Sequence, residues 1–205
     1  MREEGLEDFL ARWERWYAGV PPVPYVLRRE RESQWLRAHT LPAGQREARH
    51  WAEQEEVRRR YHALADHVLG PGASCALVTL RTTDAFTLAP PAFESLEEHE
   101  PVLAGLGLRR LSRLTSSPAL AESFEDAQVW LYGARVQWVA GAWDALLRAC
   151  AEGSVGSVMF VELEDGRAFS PFSGGADLFL PRAHERAAAR LRFAPWLASK
   201  SGSSE

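Results

Sequence analysis

The stretch that most constrains this chain is Ser157 to Leu180, SVMFVELEDGRAFSPFSGGADLFL. Val158 to Leu163 is rich in β-branched and aromatic residues, which suit a pleated, half-buried strand. Asp165-Gly166 is a two-residue turn signal, because a type I′ turn needs positive φ at both central positions; it sets Glu164 opposite Arg167. Arg167 to Phe172 returns as a second strand. Pro171 has no N–H to give a ladder, so this strand is expected at a sheet edge or broken at that point. Gly174-Gly175 permits a bulge or a sharp change of direction, with at least one of the two at positive φ. Leu178-Phe179-Leu180 then reads as a third extended run. Asp177 leaves the Gly-Gly corner either as a turn cap or as a site residue; Asp near turns commonly bonds nearby backbone N–H groups.

Around this stretch the apolar spacing sets out the other elements. Leu6, Phe9, Leu10, Trp13, Trp16 and Tyr17 recur at helical spacing and Gly19 with Pro21-Pro22 ends that helix. Tyr25-Val26-Leu27 reads as a short strand, and residues 35–42 show no clear period. A second helix runs over about 45–69, with Val57, Tyr61, Leu64, Ala65 and Val68 as its buried face. Strands are expected over 73–81 and 106–114, and over 128–139 as one kinked strand or a tight hairpin about Gly133. Residues 87–100 form a Pro-rich acidic loop and 115–126 a polar one. The expected fold is α+β, a mainly antiparallel sheet of about five strands flanked by four helices at 4–18, 45–69, 142–151 and 182–192. It forms a single domain over 1–198, with 199–205 a disordered tail.

Composition narrows the class of function. With 205 residues, 46% hydrophobic and 25% charged, the chain can bury a sizeable core. Its net charge of −4 argues against nucleic-acid binding through a basic face. Cys75 and Cys150 sit in apolar contexts and read as buried thiols. The charged N-terminus lacks the apolar run of a signal peptide, and no stretch is long and apolar enough to span a membrane. Both point to the cytoplasm. A single lysine among 24 basic residues suggests a high-GC bacterial coding preference.

Catalytic motifs are weak. Ser173-Gly174-Gly175 lacks the lysine of a phosphate-binding loop. His62 and His67 are five apart and do not share the face a zinc-binding HExxH helix uses; the six histidines read as surface or capping residues. No GxSxG elbow occurs. The acidic groups at Glu122/Glu125/Asp126 and Glu162/Glu164/Asp165 read as solvated, and nothing calls for a cofactor or a metal. One polar cluster remains. Trp35, Arg37, His39, Gln45 and Arg46 surround a Leu41-Pro42 turn, and Arg and His beside aromatics can grip a carboxylate or phosphate. Equally, they can form a loop whose Trp packs and whose Arg groups cap helix ends.

Two segments are distinctive. WLRAHTLPAGQRE at 35–47 resembles a pattern Trp-x-Arg-x-His-Ser-Leu-Pro-x-Ser-Lys-Arg-Tyr, and GRAFSPFSGGADLFLP at 166–181 resembles Gly-x-x-Phe-x-Pro-Tyr-Asp-Gly-Gly-Ala-Asp. Together they resemble an uncharacterised bacterial family of cytoplasmic proteins of unknown function. The resemblance carries over Trp35, Arg37, His39, Leu41, Pro42 and Arg46, with Pro171, Gly174, Gly175 and Asp177. Gln45, Glu47 and Ser173 depart from it.

Two readings follow. In the first, the chain is a non-enzymatic binding protein of the bacterial cytoplasm, an immunity or antitoxin-like partner of another protein. An exposed cluster of Trp13, Trp16 or Trp130 would support it, because aromatics are enriched at interfaces. In the second, it is a small-molecule binder or enzyme using Trp35, Arg37, His39 and Arg46 with Gly174, Gly175 and Asp177. That reading needs Arg37, His39, Arg46 and Asp177 to converge on one concave pocket.

Overall fold

The computed structural model describes residues 6–42, 45–84, 101–114 and 127–197. The expected loops at 87–100 and 115–126, the tail at 199–205 and the acidic group at 122–126 lie outside the described residues.

Among the described residues, seven strands form one antiparallel sheet: β1 (Trp35–His39), β2 (Ser74–Asp84), β3 (Arg109–Leu114), β4 (Ala127–Gln137), β5 (Val158–Glu162), β6 (Ala168–Phe172) and β7 (Gly175–Phe179). Their order across the sheet is β1-β7-β6-β5-β2-β4-β3. The α+β class holds, and the sheet is wider than the five strands expected. Helices α1 (Phe9–Trp16) and α2 (Pro24–Glu30) cover one face; α3 (Trp51–Val68), α4 (Asp144–Glu152) and α5 (Ala183–Arg192) cover the other. None of these helices is long and apolar enough to cross a membrane.

Alternation along the strands feeds both layers. In β2, Ala76, Val78 and Leu80 meet Phe9, Trp13 and Tyr17, while Cys75 and Leu77 join Tyr61 and Leu64 on the other side. β5 is buried at every position, as a central strand covered on both faces must be. The aromatic stripe of α1 is therefore core.

Several elements depart from expectation for identifiable reasons. The segment about Tyr25 is helical: Pro24 occupies the first helical turn, where its fixed φ suits a helix and its missing N–H costs nothing. Val26 and Leu27 bury on the sheet. Residues 35–39 form an edge strand, with Leu36 and Ala38 buried in alternation. The expected helix at 45–69 begins only at Trp51, capped by His50, whose side chain accepts the Glu53 N–H. β4 is one strand. Its Gly133 has no room for a Cβ, which would stand 2.8 Å from Leu111 Cδ1, and Leu111 lies at the β3 bulge between Arg110 and Ser112.

Arg167 lies opposite Glu162, not Glu164, so the turn between the paired residues is four residues long, 163–166, rather than two: the Glu162 N–H donates to the Arg167 carbonyl at 2.8 Å. The buried Glu162 carboxylate organises the turn by accepting the N–H groups of Glu164 and Asp165, at 2.7 and 2.8 Å. α1 clamps it from outside. Tyr17 donates its hydroxyl to the Gly166 carbonyl at 2.8 Å, Arg12 donates to the Leu163 carbonyl at 3.1 Å, and Trp16 lies over Gly166.

Pro171 sits in an interior strand. The β5–β6 register pairs Phe160 with Phe169 and Val161 with Ala168; continued, it would set Pro171 opposite Val158. The ladder stops short of that pair. The Val158 carbonyl, which no proline N–H can satisfy, accepts the Ser170 hydroxyl at 2.8 Å instead.

Candidate functional site

The two distinctive segments meet. β1 pairs with β7, placing Arg37 opposite Asp177 and His39 opposite Gly175. Ser173-Gly174 forms the two-residue turn between β6 and β7, with Phe172 paired to Gly175 and Gly174 at φ +89°. Gly175 allows the close approach of β1, since a Cβ there would stand 2.4 Å from the Ala38 carbonyl oxygen. Beyond β1 the chain crosses the turn. Thr40 N–H donates to the Gly174 carbonyl at 3.2 Å, the Ser173 hydroxyl donates to the Arg46 carbonyl at 3.3 Å, and the Arg46 backbone lies against Gly174.

On the α2 side of the sheet lies a closed cluster. Arg37 donates to both oxygens of Asp177, at 2.8 Å each, and Trp35 Nε1–H adds a 2.8 Å bond to Oδ1. The Arg37 guanidinium lies 4.5 Å from the Phe172 ring centre and 5.5 Å from that of Trp35, with Arg28 over Trp35 from α2. Asp177 is 6% exposed and Arg37 26%. Asp177 is thus neither a backbone cap nor open to a ligand: its two oxygens already accept three strong bonds. This cluster is a tie between strands.

On the opposite side, Thr40, residues 46–48 and helices α3 and α4 enclose a pocket of about 550 Å³, well inside the range of ligand sites. Trp51, Gln54, Arg58 and Tyr61 recur on one face of α3 and form one wall. Asp144, Leu147, Arg148 and Ala151 form the other from α4, and Thr40, Arg46 and Gly174 close the end. Val57, Tyr61 and Leu147 are buried against the core, and Trp51 stands at the surface, 73% exposed.

Part of the pocket's charge is internally committed. Arg58 donates from Nε to both Glu55 carboxylate oxygens, at 3.3 and 3.1 Å, and from Nη2 to Oε2 at 2.7 Å. Asp144 bonds His62 at 2.6 Å and lies 3.8 Å from Arg58. On the neighbouring turn, the Arg59 hydrogen bond and then Arg60 hold the Glu56 carboxyl at about 2. The α3 entrance is fixed by Glu53, which accepts the Arg49 N–H at 2.7 Å and the Gln45 amide at 2.8 Å. The Tyr61 hydroxyl donates to the Phe172 carbonyl at 2.7 Å. Burial pushes that phenol far above its ordinary value, offset only in part by the Thr40 hydroxyl beside it. That hydroxyl forms no well-directed hydrogen bond of its own.

The structure thus divides the residues proposed from sequence. Trp35, Arg37 and Asp177 come together on one side of the sheet; Arg46 and Gly174 line the pocket on the other. His39 shares the strand face of Arg37, and Gly175 serves the β1–β7 contact. Arg37, His39, Arg46 and Asp177 do not converge on one cavity. Nor do the tryptophans named for an interface form an exposed cluster: Trp13 and Trp130 are buried and Trp16 packs on Gly166. Trp51 and the α4 wall were missed. The signal was present in Trp51, Gln54, Arg58 and Tyr61, which share one helical face, but a polar-aromatic face is indistinguishable from a solvated one until α4 is placed beside it.

Both cysteines are free and buried, and burial pushes each thiol up to about 12. Among the described residues no group of three or more His, Cys, Asp or Glu side chains is placed to hold a metal ion.

No curated protein and no solved structure matches the chain. A family model matches residues 23–200, which span both strand pairs, the tie and the pocket, and the chain therefore belongs to the family described as Domain of unknown function (DUF3885).

Proposed function

We propose that this chain is a non-enzymatic binding protein whose site is the pocket between α3 and α4. The observation that carries the reading is the pocket itself: about 550 Å³, apolar at depth, charged around its walls, with Trp51 at its mouth. Trp and Arg are the residues most enriched where binding energy concentrates, and both occur here. Glu55 and Asp144 are engaged with Arg58 and His62, and both thiols are buried. The favoured occupant is a segment of a partner protein in the bacterial cytoplasm. An immunity or antitoxin-like role is the narrower form of this reading, supported by the small, acidic chain and the exposed aromatic.

A small-molecule ligand is the second reading, favoured by the pocket's size. It moves from the Arg37–Asp177 cluster, whose hydrogen bonds are spent internally, to the Arg46 side of the pocket. Photo-crosslinking tests both. Benzoylphenylalanine in place of Trp51 is expected to capture a defined adduct in cells, while the same group in place of Leu191, 81% exposed on α5, captures none of it. Adduct mass separates a protein from a metabolite. Identical patterns from the two positions would remove the pocket from consideration.

A further inference from the structure

We propose that the pocket recognises a carboxylate group carried on an apolar body, and that Thr40 and Arg46 are the residues that read it; the proposal rests on the pocket being the binding site. The Thr40 side chain is fully buried, yet its hydroxyl makes no well-directed hydrogen bond. Leaving a buried hydroxyl unmade is costly, and an apolar group of the same shape would avoid that cost. Tyr61 relieves it only in part: the Thr40 hydroxyl lies beside the phenol oxygen and draws its pKa down, but the contact falls short of hydrogen-bond geometry. Thr40 lines the pocket, so a ligand acceptor can give its hydroxyl the well-directed bond that Tyr61 does not.

The groups beside Thr40 favour a negative acceptor. Thr40 and Arg46 are brought together over Gly174, which bonds Thr40 through its carbonyl and presses on the Arg46 backbone. Among the described residues the Arg46 guanidinium has no ion-pair partner, whereas Arg58 on the same wall is held by Glu55. Trp51 and Gln54, from the first turn of α3, bring the positive end of an 18-residue helix to the same side. Glu55 and Asp144 are answered by Arg58 and His62; Glu47 and Glu152 stand on the exposed rim together with Arg46. The apolar body of the ligand lies along Val57, Leu147 and Ala151. A guanidinium and a hydroxyl meeting a carboxylate is a charge-assisted arrangement of high selectivity.

The test is a protein-observed NMR titration with 4-phenylbutyrate, its primary amide, and the tripeptide Gly-Leu-Phe with free and with amidated C-terminus. Both acids should shift Thr40 and Arg46 resonances and bind at least about tenfold more tightly than their amides. Thr40→Val and Arg46→Gln should each weaken acid binding by about five- to tenfold without lowering Tm. The Thr40→Val variant is decisive, because a merely structural Thr40 would leave binding unchanged. If the tripeptide acid binds more tightly than phenylbutyrate, the carboxylate is that of a polypeptide end; the reverse order assigns a free organic acid. Equal binding of acids and amides at the pocket overturns carboxylate recognition and leaves the pocket intact as a site. No pocket shift with any probe up to about 10 mM, where even weak fragments register, also overturns it, and the crosslink from position 51 then judges the pocket separately.

Discussion

Single side chains decide whether the two distinctive segments can meet. Gly175 is the clearest case, because a Cβ there would overlap the Ala38 carbonyl, a backbone atom that cannot swing aside. Gly175→Ala should cost about 1–3 kcal/mol in urea denaturation, and Gly174→Val more than about 1 kcal/mol, given its positive φ; wild-type midpoints for both would contradict this account of the corner. Asp177→Ala leaves Arg37 and the Trp35 N–H without their acceptor. Since Arg37 is 26% exposed, the expected loss is about 2–3 kcal/mol, below the full cost of an orphaned buried charge. Unchanged Tm would show that the tie is ornamental. The thiols give a prediction with a defined pH sense. Both are raised from 9 to about 12 by burial, so the folded state keeps them neutral. The stability this implies is present below pH 9 and lost as pH climbs toward 12. Native protein at pH 8 should therefore resist Ellman's reagent at both cysteines and react fully in guanidinium; rapid native labelling would place a thiol at the surface.

Elements show what the sequence could and could not convey. Helices with a strong apolar face, such as α1 with Phe9 and Trp13, are legible because their periodicity reports burial directly. The strands from 158 to 180 are legible for the same reason. α2 was misread because three apolar residues satisfy either period, and Pro24 at its first turn is decided by packing. β1 was invisible because its outward positions, Trp35, Arg37 and His39, are half-buried against β7 partners far away in the chain. The turn after β5 was misassigned because Glu162, a charged residue within a strand, turns its carboxylate back to cap the loop. α1 depends on that loop in turn. Tyr17→Phe removes the 2.8 Å bond to the Gly166 carbonyl and should cost about 1 kcal/mol, read as a lower Tm. No change would mean that Trp16 alone seats the turn.

At the scale of the whole molecule, the sheet separates two kinds of polar site. On the α2 side, the residues that looked most like a ligand grip are joined to each other and hold an edge strand in place. On the α3–α4 side, a cavity remains open, and of the site residues proposed from the sequence only Arg46 and Gly174 line it. A pocket between helices from distant parts of the chain has no local signature, since neither wall is informative until the sheet positions both. The central claim is that binding occurs there. The most direct measurement is capture from native extract of the source cells, with proteins and metabolites both identified by mass spectrometry, using wild type and Ala151→Trp, which fills the pocket from α4. The account predicts that wild type retains a defined species and that the variant, at unchanged Tm, loses it. Retention of the same species by both, or of nothing by wild type, would contradict it.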